Sequence, residues 1–453
     1  MDSKRVKDVV LIFSLALLVR IVYILFFVEP EYLLTEDQSL YIQLAQQFID
    51  GGFLGVSPDR LPGYPLFIAS VYSMFGEGLW GVVLIQVLLD SISCVVIALM
   101  AHLIFGKGIL VAGILSAFNL NMVILSATLL TDTLFLFLFI LFLFSLLQYF
   151  QNKQFKWLAL LVLFISMATL VRPSTSYLLP ILLIFLVSWR LWCRDNILKI
   201  GTLTVLYLVI VVGLLHSIYQ RNYYQYEVAA LTSQTGTHLL GWVVPATYQY
   251  SGQGSYQDGQ QLVRLKLTLA LQRDQLEALP QNPFESSLYQ TNIAKDILFE
   301  LGFLNILKAW AVGSVVNLLA PSVSYAPALR AIEHPSFYET KGDGVVEKLF
   351  FYIKNSSETF YLLILAVGTI MSVIFTVLVF LGAFKMILVF SPVIITTLLF
   401  LVIYFLTITG PVIGVKYRLP MEPILTLFTT YFLNEYFINR VKFREYFNSI
   451  QRK

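Results

Sequence analysis

Two oppositely charged side chains frame a polar interval in an otherwise apolar chain. Glu36 and Asp37 stand at one end of it, and Arg60 stands just before Pro62-Gly63-Tyr64-Pro65 at the other. An ionised carboxylate facing a partly dry cleft can take the proton of an attacking hydroxyl. A guanidinium suits phosphate because its planar fork makes paired hydrogen bonds and keeps its charge. If phosphate leaves, charge grows on its oxygens, and a fixed cation stabilises the transition state more than the ground state. Asp37 would equally serve as the N-cap of a helix over 38–50, and Arg60 would equally snorkel at a lipid surface.

Further candidates sit at helix ends on the same expected side. Asp132, in Leu130-Thr131-Asp132-Thr133, opens an apolar run. It reads as an N-cap, or as a second acid that orients an acceptor or shares a metal. Orientation is the favoured role, because no histidine–carboxylate cluster has metal-ligand spacing; no cofactor is expected, with a divalent metal left open. Arg172-Pro173 and Lys416-Tyr417-Arg418-Leu419-Pro420 offer cations that would grip a lipid phosphate or snorkel. Arg20 and Asp90 differ, since each lies about eleven residues, or roughly 16 Å, into its helix. Intramembrane charges pair with each other, so an Arg20–Asp90 contact between the first two spans is expected, structural rather than catalytic.

The elements that must position these groups are membrane helices. The chain has 453 residues, 58% hydrophobic and 13% charged, against about 25% charged in soluble domains. Its net charge of +3 is too small and dispersed to suggest nucleic acid. The two cysteines, Cys94 and Cys193, lie in or beside apolar runs, so no disulfide framework is expected. Spans are predicted near 9–28, 79–104, 108–126, 131–150, 157–171, 176–192, 200–217, 358–381, 386–408 and 420–438. The first is read as retained, because it contains Arg20 and ends at Phe27-Val28-Glu29-Pro30 without a small-residue cleavage site.

The fold class is therefore an all-α polytopic membrane protein with about ten spans. Its predicted parts are a transmembrane module at 1–217 with a first outer loop at 29–65, and an outer-face region with interfacial helices at 218–357. C-terminal spans follow at 358–440, then a basic cytoplasmic tail at 441–453. Lys and Arg concentrate on one side, including Lys4, Arg5, Lys7, Lys107, Lys153, Lys156, Arg190, Arg194, Lys199, Lys385, Arg440, Lys442 and Arg444. The positive-inside rule then puts Asp37 and the long loop outside. The run 302–321 is apolar but interrupted by Asn305, Lys308 and Asn317. Counting it as a span would push the basic tail outside, so it is read as interfacial or re-entrant. In the first outer loop Leu40, Leu44, Phe48 and Tyr41, Ala45 recur at helical spacing, predicting an amphipathic helix ended by Asp50-Gly51-Gly52.

In this order the motifs resemble the GT-C superfamily of glycosyltransferases, specifically its protein mannosyltransferase and aminoarabinose transferase branch (glycosyltransferase family 39). The likeness rests on Asp37-x-x-x-Tyr41 opening an outer helix and on Arg60-Leu61-Pro62-Gly63-Tyr64-Pro65 before the second span. Thr131-Asp132, Arg172-Pro173 and Tyr417-Arg418-Leu419-Pro420 complete it. The resemblance implies an inverting enzyme with a polyprenyl-phosphate sugar donor and a glycan, lipid or protein acceptor. Asp37 would be the catalytic aspartate, Asp132 the second acid and Arg60 the contact to the lipid phosphate. Arg418, Arg172 and Lys416 would assist the phosphate, with Glu36, Tyr41 and Tyr64 around the reacting groups. The expected place is a bacterial plasma membrane, with the site on the periplasmic face. Trp242, Tyr248, Tyr250, Tyr256 and Trp310 would line the acceptor side or anchor the interface.

Two other classes fit less well. A transporter or flippase for a lipid-linked glycan would show internal pseudo-symmetry and charges along a membrane path, of which Arg20 and Asp90 are the main trace. A ligase or polymerase using a diphosphate-linked glycan is the nearer competitor.

Overall fold

Backbone in lipid has no water to bond to, so a spanning chain must satisfy its own polar groups as helix. The computed structural model describes residues 3–29, 36–52, 57–337, 340–342 and 345–438, and among them no strand occurs. The basic tail at 441–453 and the Glu36 side chain lie outside the described residues.

The bundle begins with α1 (Ser3–Phe27), α2 (Glu36–Gly51), α3 (Gly63–Phe75) and α4 (Leu79–Phe105). It continues through α5 (Ile109–Ala117), α6 (Leu120–Ser126), α7 (Thr131–Asn152), α8 (Phe155–Val171), α9 (Leu178–Trp192) and α10 (Ile197–Tyr226). A second layer follows as α11 (Gln234–His238), α12 (Val244–Ser251), α13 (Tyr256–Arg273), α14 (Pro283–Leu301), α15 (Phe303–Leu319), α16 (Pro327–Arg330) and α17 (Val345–Asn355). The chain then returns through α18 (Thr359–Val389), α19 (Pro392–Thr409), α20 (Val415–Arg418) and α21 (Glu422–Leu433).

Each of the ten expected spans is helical, but the count of membrane-crossing helices is lower. Among the described residues, seven helices are long and apolar enough to cross, α9 counting together with the 3-10 turn Pro173–Thr175 that leads into it, or up to nine if the bent pairs α5–α6 and α14–α15 each count as one. α8, with 17 residues, and α21, with 12, fall short. α21 is cut short between prolines at 420 and 423 and a wider helical turn at Asn434–Ile438, and it is buried along almost its whole length.

The interval at 218–357, expected as a long loop region with interfacial helices, holds a folded helical layer. Leu240 and Val244 at one end, and Ile293, Ala294 and Ile297 at the other, meet Val263 in a small core of their own. Those pairs have helical spacing, but the surrounding Tyr, Gln and Ser obscure it. The ambiguous run at 302–321 becomes α15, which meets α14 at 102°. Gly302 makes that corner at φ +83, a conformation that costs a residue with a Cβ. The polar interruptions act as pins. Asn317 donates to the Val412 carbonyl at 3.0 Å and accepts from Gly414 N–H at 2.9 Å, and Lys308 donates to the Ser251 carbonyl at 3.0 Å.

Arg20 and Asp90 meet as expected. Arg20 Nε donates to Asp90 Oδ2 at 2.6 Å, and its remaining nitrogens reach the Ala16 and Ala117 carbonyls and the Cys94 sulfur. Both side chains are buried, and the pair ties α1 to α4 and the end of α5. Removing one partner of a buried pair costs about 3–5 kcal/mol, because the other charge is left stranded. Arg20→Ala or Asp90→Ala should therefore lower the thermal midpoint and the yield of folded protein. The swap Arg20→Asp with Asp90→Arg should recover much of that yield, and a double variant no better than the singles would show that the pair does not hold the helices.

Candidate functional site

α2 places the first acid. Its inward face buries Leu44 and Ala45, as the spacing predicts, and Gly52 at φ +67 stops it. The described helix runs from Glu36, so Asp37 lies in its first described turn rather than at a cap. There the unpaired backbone N–H groups still favour a negative charge.

The Arg60 loop is pinned from two sides. Ser233 Oγ donates to Asp59 Oδ1 at 2.5 Å, and Ser233 N–H donates to the Pro58 carbonyl at 3.2 Å. Downstream, α3 begins at Gly63 against the end of α8. A Cβ there would come within 2.6 Å of the Leu170 carbonyl oxygen, so glycine is what permits the approach. Tyr64 hydroxyl donates to Gln86 Oε1 at 2.6 Å, and Gln86 Nε2 donates to the Ser126 and Thr128 carbonyls at 3.1 and 2.8 Å. Through that chain the loop is tied to the turn that opens α7.

At the end of α8, Pro173 cannot continue the helix and its ring forces the preceding residue into extended backbone. Arg172 adopts φ −140 and ψ 130, which carries its side chain sideways to Asp132. Arg172 Nη1 donates to Asp132 Oδ1 at 2.6 Å, and the guanidinium lies 5.6 Å from the Phe135 ring centre. Asp132 is buried in the first turn of α7.

Arg60 Nη2 stands 3.8 Å from Asp37 Oδ1, with Asp37 57% exposed and Arg60 22%. Tyr41 lies between the pairs. Burial lifts its hydroxyl above the ordinary value, Arg60 and Arg172 pull against that, and Asp37 and Asp132 push with it. Lys416 completes the group. Burial weakens its hold on a proton, but Tyr417, Tyr325 and Asp132 together carry it above the ordinary value. Two ion pairs, Asp37–Arg60 and Asp132–Arg172, thus flank Tyr41, and Lys416 is near enough to feel Asp132 and Arg172.

Three expectations fare differently. Arg418, two residues from Lys416, is buried: Nε donates to Glu422 Oε1 at 2.7 Å. Its Nη atoms reach the Leu318 and Ala320 carbonyls, Ser372 Oγ and Ser322 Oγ at 2.9–3.2 Å. With its donors committed, it clamps the chain instead of offering a hand to phosphate. Tyr64, expected beside the reacting groups, is fully buried with its hydroxyl committed to Gln86, and supports the site from behind. Among the expected aromatics, Tyr250 and Tyr256 are core residues and Trp310 donates to the Thr407 carbonyl.

A cavity of about 330 Å³ opens beside Arg60, walled by Leu40 and Leu44 of α2, Ser57 and Asp59 of the loop, and Gln234, Thr237, His238 and Trp242. The last four come from the helical layer, and sequence spacing did not connect His238 to this site. The usable signal was Pro245. It lacks an N–H for the carbonyl of Gly241, the chain widens into a π turn over Leu239–Val243, and Tyr256 hydroxyl takes up that carbonyl at 3.4 Å. Single π turns of this kind recur at functional sites. Among the described residues, no group of three or more His, Cys, Asp and Glu could hold a metal ion.

The fold is that of the GT-C membrane glycosyltransferases, in an integral multi-pass protein. Residues 58–215 match the family described as dolichyl-phosphate-mannose-protein mannosyltransferase. Among solved structures, the oligosaccharyltransferase AglB from Archaeoglobus fulgidus, in complex with an inhibitory peptide and a dolichol-phosphate, superposes with TM-score 0.56 at 12% identity. The match covers 99% of this chain and 52% of AglB, so the chain spans about half that enzyme's length. ArnT from Cupriavidus metallidurans in complex with undecaprenyl phosphate aligns over 94% of this chain and 76% of its own, at 15% identity and TM-score 0.39. No curated protein sequence matches significantly.

Two outcomes check this geometry. Gly63→Ala forces backbone against backbone at Leu170 and should cost about 1–3 kcal/mol, read as a lower thermal midpoint; an unchanged midpoint would mean that α3 and α8 are not so closely packed. Burial and nearby Lys416 hold His238 below its ordinary value of 6.5. Neutral His238 therefore contributes stability above that pH, and the contribution is lost as pH falls through the lower folded value. The fall in thermal midpoint between pH 7 and 5 should be shallower in His238→Gln than in wild type.

Proposed function

We propose that the protein is an inverting glycosyltransferase that moves a sugar from a polyprenyl-phosphate donor to a hydroxyl acceptor on the outer face of the membrane. The observation that carries the reading is the Asp37–Arg60 pairing at 3.8 Å, in which Arg60 lines the cavity. The contact is loose, and among the described residues the other partner of Arg60 is the Asp59 carbonyl, at 3.3 Å. A phosphate oxygen can replace such weak partners, whereas Arg418 would have to give up shorter bonds to Glu422, Leu318, Ala320, Ser372 and Ser322. The carboxylate beside it is half exposed, as a group that must meet a second substrate should be.

In this reading the donor enters from the lipid with its phosphate against Arg60, Arg172 and Lys416. Asp37 accepts the proton of the acceptor hydroxyl as that oxygen bonds to the anomeric carbon. The bond from that carbon to the phosphate oxygen breaks on the opposite face, and its electron pair leaves on the lipid phosphate. Arg60 and Lys416 stabilise the charge that accumulates there. Asp132 holds Arg172 at the correct angle for the same oxygens. The family match over 58–215 supports the reading, since it covers Arg60, Asp132 and Arg172. The acceptor is a glycan, lipid or protein that approaches from the helical-layer side, past His238 and Trp242.

The test is transfer from a radiolabelled polyprenyl-phosphate sugar in proteoliposomes. Asp37→Asn should reduce turnover about 10²–10⁴-fold, the usual worth of a general base, while binding of the lipid phosphate persists. Arg60→Ala should weaken binding of the donor and of sugar-free polyprenyl phosphate alike. Full turnover in Asp37→Asn would remove the proposed base, and wild-type protein that binds neither lipid would remove the donor class.

A further inference from the structure

α17 wears its polarity the wrong way round for a helix in water. Val346, Leu349, Phe350 and Ile353 stand at i, i+3, i+4 and i+7, on one face, and are between 48% and 84% exposed. The opposite face turns Lys348 and Tyr352 inward, and both are buried. Lys348 Nζ donates to Gln249 Oε1 of α12 at 3.0 Å and lies 4.9 Å from the Phe337 ring centre. Tyr352 hydroxyl meets Tyr361 hydroxyl of α18 at 2.5 Å. Polar groups anchor this helix to the protein while its large apolar side chains are left outside. Scattered exposed apolar residues need no explanation, but a contiguous stripe marks a contact surface.

Position identifies what covers the stripe. Three residues, 356–358, separate α17 from α18, and they reach at most about 10 Å. α18 is one of the helices long and apolar enough to span, and its first turns carry the outward apolar surface onward through Phe360 and Leu363. The N-terminal half of α18 also belongs to the site end of the bundle. Its Ser372 receives Arg418, which in turn holds Ser322, and nearby Tyr325 feels the charges of Asp132 and Asp37. We infer that α17 lies along the membrane surface on the side of the Asp37–Arg60 site, with Val346, Leu349, Phe350 and Ile353 seated among the lipid chains just below the headgroups. The inference stands apart from the transferase reading, and neither depends on the other.

Nitroxide accessibility in proteoliposomes of phosphatidylcholine and phosphatidylglycerol tests it. Cys193 is exposed and Cys94 buried, so Cys193→Ser supplies a quiet background. Labels go on the stripe by Val346→Cys, Phe350→Cys and Ile353→Cys, and on the polar flank by Glu347→Cys and Lys354→Cys. On the stripe, collisions with oxygen should exceed those with a water-soluble nickel chelate several-fold, and the order should reverse on the flank. Nickel collisions dominating at every position would put the stripe in water and overturn the inference. Exclusion of both reagents from the stripe would mean a protein partner or a second copy, and would overturn it equally. Leu349→Cys replaces any stripe variant that does not elute as a single species.

Discussion

The bond between Asp132 and Arg172 is the fixed point from which the site is assembled. It joins the first turn of α7 to the residue that ends α8, at 2.6 Å and with the carboxylate buried. A charge at such a helix junction is tolerable only with its partner in place, since a stranded buried ion costs several kcal/mol. Everything local serves that meeting. Pro173 ejects Arg172 from the helix, the Phe135 ring lies against its guanidinium, and the bare Cα of Gly63 lets α3 rest on the carbonyl of Leu170, which lies just before Val171 and Arg172. The Arg60 loop is then delivered beside the pair, and Asp37 beside the loop.

The opposite wall belongs to a different part of the chain. Ser233 reaches across to Asp59, and the π turn before Pro245 presents the segment that carries His238 and Trp242. One wall therefore rests on helices packed in the bundle and the other on a layer with its own small core. At the cleft the two walls meet through the bonds of Ser233 to Pro58 and Asp59.

Much of this was legible because charge is conspicuous in an apolar chain. Asp37, Arg60, Asp132, Arg172 and Lys416 each stand at the end of an apolar run, and ends of runs on one side of a membrane must be near one another. Arg20 and Asp90 were legible for a stricter reason, since two opposite charges at matching depth in lipid have little choice of partner. The misreadings arose where a side chain's direction decides. Lys416 and Arg418 look equivalent in Lys416-Tyr417-Arg418, but Glu422 lies one helical turn beyond Arg418 and draws it inward. Tyr64 sits in the right motif, yet α3 turns its ring toward Gln86. His238 stayed hidden because its place depends on how the layer packs, and polar residues with sparse apolar pairs signal such packing weakly.

The Arg20–Asp90 pair also bears on how the chain is made. Its two halves are 70 residues apart, and translation proceeds at about 5–20 residues per second. For several seconds the nascent first helix offers the translocon a guanidinium without its counter-ion, at a central position where arginine disfavours insertion by about 2.5–3.5 kcal/mol. The other residues of α1 are apolar enough to carry it in regardless, but its final seat waits for the synthesis of α4. Assembly of this protein is thereby ordered in time, with α1 made before α4 and locked in place only by it.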